Sequence, residues 1–437
     1  MPRRGCFRRT ASADNARKKT TEMKRAVIVT LLILLLQGVI FAQQFPDPKP
    51  AAPRDFAVMP WDQAPADPEL LRGIKEAGMN IAGFCASPEE VESVRNAGMS
   101  CIVGNTNISQ YNWKELSPDD RLRKDVAELA RLYGRNPAVL GFFLSDEPHT
   151  SDMAAIGHVV ALLHEAMPDK LPYVNLFPYR EGIQPWYSNY EDYARSLVSV
   201  IHQPFLSFDN YALSGGEMGD EFFNNLEIIR KVGLENKIPF WSCVLAVAHF
   251  GYMEPSNATF SLQAYSTLAY GGRGIQYFTY FTPERGNYRL AAIDQFGSKT
   301  QTWDMLRHIN LQLHALAPVM IHLRSTGVYH YPDVPKQAQP LSESRLVKWI
   351  GMVKDEDHYV KPSVAARFLV GEFEDEKGRS YLMIVNKDLT YSFRLDIEFK
   401  HEVRNVFRVN PYSGEEESFE GEQCWIAPGG GILLRLE

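Results

Sequence analysis

The sequence predicts an α/β protein: a (β/α)8 barrel of the TIM class followed by a small all-β sandwich domain. Three observations carry this. Eight short runs rich in β-branched and aromatic residues lack the strict alternation of a half-exposed strand, so they read as parallel strands buried on both faces. Amphipathic stretches at helical period separate them. From about residue 323 the helical period stops, and short strands divided by turn residues take over.

Residues 1–22 read as an upstream extension. Met23-Lys24-Arg25 precedes the apolar run AVIVTLLILLLQGVIFA (26–42), which ends on a small residue, Ala42. That is the basic start, apolar middle and cleavage point of a signal peptide, so 23–42 is expected to direct export to the periplasm or beyond the cell. The run is about 17 residues, marginal for a bilayer span; a retained N-terminal anchor is the alternative. Residues 43–54 form a Pro-rich linker, 55–322 the barrel and 323–437 the β-sandwich domain.

The barrel strands are expected at residues 56–59, 80–84, 100–103, 138–144, 172–177, 205–209, 240–247 and 274–281, with the link from the fifth to the sixth the least regular. Two units are near copies, GIKEAGMNIAGF and SVRNAGMSCIVG, each a helix end, a Gly stop (Gly78, Gly98) and the next strand. Repetition of one βα unit is how a barrel is written. An open doubly wound sheet is the competing topology, but no GxGxxG phosphate loop follows the first strand.

The whole chain carries a net charge of −7; without residues 1–25 it has 37 basic against 51 acidic residues, a net charge of −14. Such an acidic protein is a poor ligand for nucleic acid or an anionic membrane and suits a neutral ligand. Of the five cysteines, Cys85, Cys101, Cys243 and Cys424 lie beyond the leader, with no CxxC and no histidine at metal spacing. They read as buried free thiols, Cys85 and Cys101 at opposite ends of a sheet.

Barrels carry their chemistry at the C-terminal ends of the strands. Those ends deliver Trp61 and Asp62, Ser87, Asn105, Asp146 and Glu147, Asn175 with Tyr179 and Arg180, then Asp209, Asn210 and Tyr211, then His249, Tyr252 and Glu254, and finally Tyr280, Thr282, Glu284 and Arg285. No metal set and no strand-end lysine stands among them, so no cofactor is expected. Aromatic rings beside amides and carboxylates suit a sugar, whose C–H faces pack on rings while its hydroxyls need paired donors and acceptors. The candidate substrate contacts are Trp61, Asp62, Asp146, Asn175, Asn210, Tyr211, His249 and Tyr280. Glycoside hydrolysis adds the need for two carboxyl groups across the scissile bond. Glu147 beside Asp146 suits the acid, since burial and a like charge hold its proton. The bland reading of the pair, a helix-start acid, is weakened by Thr150 and Ser151, either of which can cap the following helix.

The segment LYGRNPAVLGFFLSDEP (132–148) resembles the strand-4 segment of clan A glycoside hydrolases, where a similar run ends in Asn-Glu-Pro or Asp-Glu-Pro. SFDNY (207–211), LAYGGRGIQYFTYF (268–281) and APGGGILLRL (427–436) extend the resemblance across the barrel and into the β domain. It implies an acid/base role for Glu147 and a sugar contact for Asp146. The pattern departs at strand 7, where such enzymes place a nucleophilic Glu and FWSCVLAVAHFG has none. Asp209 and Glu254 are the candidates for the second carboxylate, with Glu284 third. The expectation is a glycosidase acting on an oligo- or polysaccharide; the alternative is a non-catalytic carbohydrate-binding barrel that lacks the strand-7 nucleophile.

Overall fold

Each apolar run becomes a strand because it has nowhere to turn a polar face: the barrel wall is covered by side chains within and by helices outside. In the computed structural model, which describes residues 55–182, 184–353 and 365–437, the strands are β1 (Ala57–Pro60), β2 (Ile81–Cys85), β3 (Ser100–Val103), β4 (Val139–Asp146), β5 (Leu171–Asn175), β6 (Leu206–Asp209), β7 (Phe240–Leu245) and β8 (Gly274–Phe278). They pair in parallel as β2-β3-β4-β5 and β6-β7-β8-β1. Single bridges from Gln63 to Phe84 and from Leu176 to Phe208 join the two halves into a ring.

The outer helices are α1 (Pro68–Glu76), α2 (Pro88–Asn96), α3 (Asp119–Tyr133), α4 (Met153–Ala166), α5 (Tyr190–Ser199), α6 (Asp220–Asn236), α7 (Asn257–Ala269) and α8 (Gln301–Met320). The near-copied units show why this register holds. Asp67 and Ser87 cap α1 and α2, each ahead of a proline at the first helical position. Gly78 and Gly98 then take φ of +81° and +68°, which ends each helix and turns the chain into the next strand. Helix α4 departs from expectation. Residues 150–152 form a 3-10 turn, and Asp152, not Thr150 or Ser151, leads into the helix, its carboxylate accepting the His149 N–H at 3.2 Å.

The barrel interior is a plug of large rings. Tyr173, Phe205 and Trp241 are buried at its centre with Met59, Ile81 and Ile102, and Trp61, Phe84 and Phe143 close it from above. The thiols of Cys85 and Cys101 are free and buried, but not at opposite ends of a sheet. β2 and β3 are adjacent, and an irregularity between Ile81 and Phe84 sets Cys85 against Val103. Its thiol meets that of Cys101, and this contact together with burial pushes Cys85 far above the usual thiol range.

The C-terminal domain is a sandwich of two sheets. β9 (Arg324–Tyr331), β11 (Phe368–Glu374), β12 (Ser380–Asn386), β16 (Gly431–Leu436), β14 (Val406–Val409) and β15 (Glu416–Ser418) run side by side in that order, with residues 339–340 beyond β9; β10 (Val347–Met352), β13 (Phe393–Phe399) and residues 425–426 form the second sheet. Alternation along β11 and β12 sends Phe368, Val370, Leu382 and Ile384 into the space between the sheets. Leu369, Phe373, Met383 and Val385 point the other way and join the core shared with the barrel.

No helix among the described residues is long and apolar enough to cross a bilayer. The extension, signal peptide and linker at residues 1–54 lie outside the described residues.

Candidate active site

Strand β4 brings its acids to the barrel mouth in an unusual way. Asp146 sits opposite Asn175 of β5, and the Glu147 N–H donates to the Asn175 carbonyl at 2.8 Å. Simple alternation would turn one of two consecutive side chains away. Glu147 instead adopts φ of +46°, a left-handed conformation that glycine takes freely and L-residues other than Asn, Asp and His rarely hold. The next carbonyl, that of Pro148, is held by the Tyr193 hydroxyl at 2.6 Å. The backbone is thus pinned on both sides of the bend.

Asn175 organises what the bend delivers. Its Oδ1 accepts from the Ser207 hydroxyl at 2.8 Å, which fixes the amide so that Nδ2 donates to Asp209 at 3.0 Å and to Asp146 at 3.3 Å. Ser207 in turn accepts from Gln276 Nε2 at 3.0 Å, and the Tyr173 hydroxyl closes this buried belt against Gln276 Oε1. One amide therefore draws carboxylates of β4 and β6 together. The carboxyl groups of Glu147 and Asp209 lie within hydrogen-bonding reach of each other.

Such crowding shifts every acid toward its protonated form. Burial, then the charge of Asp146, pushes Glu147 up to about 7, against smaller opposing effects from Asp209 and Arg180. Asp209 is raised well above the carboxylate range by burial and by the charges of Glu147 and Asp146. Asp146 rises to about 6 through desolvation in the crowded rim, although its edge stays exposed. Asp62, at the end of β1, rises to about 8 through burial, and its carboxylate accepts the Tyr280 N–H at 2.6 Å. Carboxyls poised near neutrality in a concave mouth are the usual mark of acid–base chemistry.

The remaining candidates divide. Trp61 meets Phe84 edge-on at 5.0 Å and, with Asn105, Phe143 and Asp146, lines a cavity of about 370 Å³ over β1–β4. Tyr211 stacks on Phe278 at 5.2 Å, its hydroxyl 3.5 Å from the Cys243 sulfur. His249 is buried and stacked on Tyr288 at 4.5 Å, burial lowers its pKa, and its Nδ1 lies 3.0 Å from the Val247 carbonyl. Two candidates are turned away. Asn210 donates to Asn225 at 3.1 Å, under α6, and Tyr280 is buried with its hydroxyl accepting from Trp303 Nε1 at 3.1 Å, against α8. Both lie beside inward-facing residues and follow the alternation of a strand to its outer side. Glu254 stands apart from the acid cluster, exposed and ion-paired with Arg289 at 3.1 Å. Glu284 is exposed.

The structure adds two groups that are not among the candidate substrate contacts, although Arg180 is counted at the end of strand 5. Arg180 is paired with Glu221 at 2.6 Å and lies close enough to Glu147 to oppose its rise. Trp186 lies between Phe177, stacked at 4.1 Å, and His149 at 5.3 Å, beside the turn that follows Glu147. It comes from the irregular β5–α5 link, where no period marks a residue as inward. Among the described residues no group of three His, Cys, Asp or Glu side chains is placed to hold a metal ion.

No protein-family model matches this chain, and no curated protein matches it in sequence. Solved structures do match it in shape. A β-galactosidase from Bacillus circulans sp. alkalophilus superposes with a TM-score of 0.59 at 9% identity, over 88% of this chain and 99% of that one. A glycoside hydrolase family 5 protein from Bacteroides vulgatus gives 0.52 at 11% identity, over 87% and 88%. Against the β-galactosidase from the psychrophilic Marinomonas ef1 the TM-score is 0.48 at 10% identity, over 62% of each chain, so this chain spans about three fifths of that enzyme. The expectation raised by strand 4 is met at the level of architecture: this chain has the fold of the (β/α)8-barrel glycoside hydrolases.

Proposed function

We propose that the protein is a glycoside hydrolase acting on O-glycosidic bonds of an oligo- or polysaccharide, with Glu147 as the acid. The observation that carries this is the Glu147–Asp209 pair. It is a half-buried carboxyl held near neutrality, in contact with a second carboxyl, at the mouth of a glycosidase-type barrel. Glu147 donates its proton to the leaving oxygen. Asp209 is the second carboxyl, which must be ionised to attack the anomeric carbon or to take a proton from the attacking water as the C–O bond breaks, and Asn175 is a positioning residue that holds it. Trp61 and the cavity beside it receive the sugar ring. The protein would work outside the cytoplasm, in keeping with the N-terminal sequence.

One observation favours a second reading, a carbohydrate-binding barrel without turnover. The end of β7 carries Leu245, Ala246, Val247 and Ala248, all buried and apolar, where the resemblance leads one to expect a nucleophile. A glycan panel assayed with wild type, Glu147→Gln, Asp209→Asn and Glu254→Gln separates the two. Hydrolysis is expected for wild type, with loss of about 10²–10⁴-fold for Glu147→Gln, a large loss for Asp209→Asn and little change for Glu254→Gln. Binding without cleavage by wild type selects the second reading. Undiminished turnover by Glu147→Gln removes the first.

A further inference from the structure

A second concave surface lies away from the barrel mouth, where α7 and α8 meet the β domain. It encloses about 540 Å³, within the roughly 300–1,000 Å³ of small-ligand sites. Two of its walls are aromatic side chains left nearly half exposed, Trp425 at 44% and Tyr412 at 48%. Between them runs a chain of polar groups. The Tyr265 hydroxyl donates to Gln312 Oε1 at 2.5 Å, and Gln312 Nε2 meets His308 Nε2 at 2.7 Å. The His308 ring lies 6.0 Å from that of Tyr412. The one charged group in the lining, Arg408, is already paired with Glu417 at 2.9 Å.

Folding alone gives no reason to leave a Trp and a Tyr open on a ligand-sized hollow. Rings that offer flat apolar faces, beside uncharged donors and acceptors and without a free charge, match a neutral sugar chain better than a peptide, an anion or a lipid. We infer that this groove is a second carbohydrate-binding site, holding a neutral polysaccharide on Trp425 and Tyr412 while the mouth works elsewhere on the same chain. The inference builds on the carbohydrate reading of the barrel, but its readout is binding, not turnover.

The test is affinity electrophoresis of the full chain in gels containing galactomannan, xylan or mixed-linkage β-glucan. Glu147→Gln is the parent in every lane, so that no polymer is cut. The parent is expected to be retarded in at least one gel, and the apparent affinity to fall at least about threefold on adding Trp425→Ala or Tyr412→Ala. Trp425→Phe, which keeps a flat ring, should restore most of it. Melting curves of all variants guard against misfolding. In the Glu147-intact protein, Trp425→Ala should leave hydrolysis of a short aryl glycoside unchanged. Retardation that is the same with and without Trp425 and Tyr412, or no retardation in any gel, overturns the inference. Retardation that depends on Trp425 in a protein that cleaves nothing keeps this site and sinks the hydrolase reading.

Discussion

At the scale of single residues, the mouth is built against electrostatic comfort, and that has a measurable sign. Glu147 at about 7, Asp146 at about 6 and Asp62 at about 8 all exceed their ordinary carboxylate values. The folded state therefore holds protons that the unfolded chain releases. Their contribution to stability is complete below about pH 4 and is lost as pH rises toward 8. Melting temperature is expected to fall from pH 5 to pH 8.5, and Asp209→Asn to flatten that fall, raising the pH 8.5 value by on the order of 1–3 °C; an unchanged slope in a scanning-fluorimetry series would refute this. Under the proposed function the same ionisation would set activity, since an acid that must carry its proton fails as pH climbs past about 7. Glu147 also occupies a left-handed backbone, so Glu147→Asn should melt higher than wild type while losing turnover. Much of this was legible in the sequence. The acid pair, Asn175 and Asp209 all come from strand ends. The shared Asn175 amide and the bend at 147 were not, because both are facts of direction, not position.

At the scale of elements, the fold was more legible than the facing of its side chains. Apolar runs, helix caps and the Gly78 and Gly98 stops mark strands and helices to within a few residues, because each is a local preference. Which side chains face the mouth depends on parity, and a single irregularity resets it. β4 slips against β5 between Phe143 and Ser145, and the chain bends again at Glu147. Asn210 and Tyr280 show the opposite case: they stand at strand ends but on the outer side. The seam offers an element-scale test. Gly429 holds φ of +66°, and a Cβ there would lie 2.0 Å from the Ala258 carbonyl at the start of α7. Gly429→Ala is expected to cost several kcal/mol, more than the usual 0.5–3 for a point change. Chemical denaturation would read it, and a loss below about 1 kcal/mol would show that the contact yields.

At the scale of the whole molecule, barrel and β domain share one interior. Phe373, Met383, Val385 and Leu433 of the large sheet belong to the same buried cluster as Phe260, Leu262 and Leu268 of α7. A single cooperative transition is expected in calorimetry, and a chain ending at Met320 should be insoluble or molten. Two separable transitions would show the units to be independent. The large sheet has one dry side against its partner sheet and another against α7. It therefore has no spare surface by which to travel. A linker-tethered appendage can be shuffled between enzymes, but this domain could be grafted onto another barrel only along with the helix face it covers. Its evolutionary history should thus be that of the barrel, inherited as one piece.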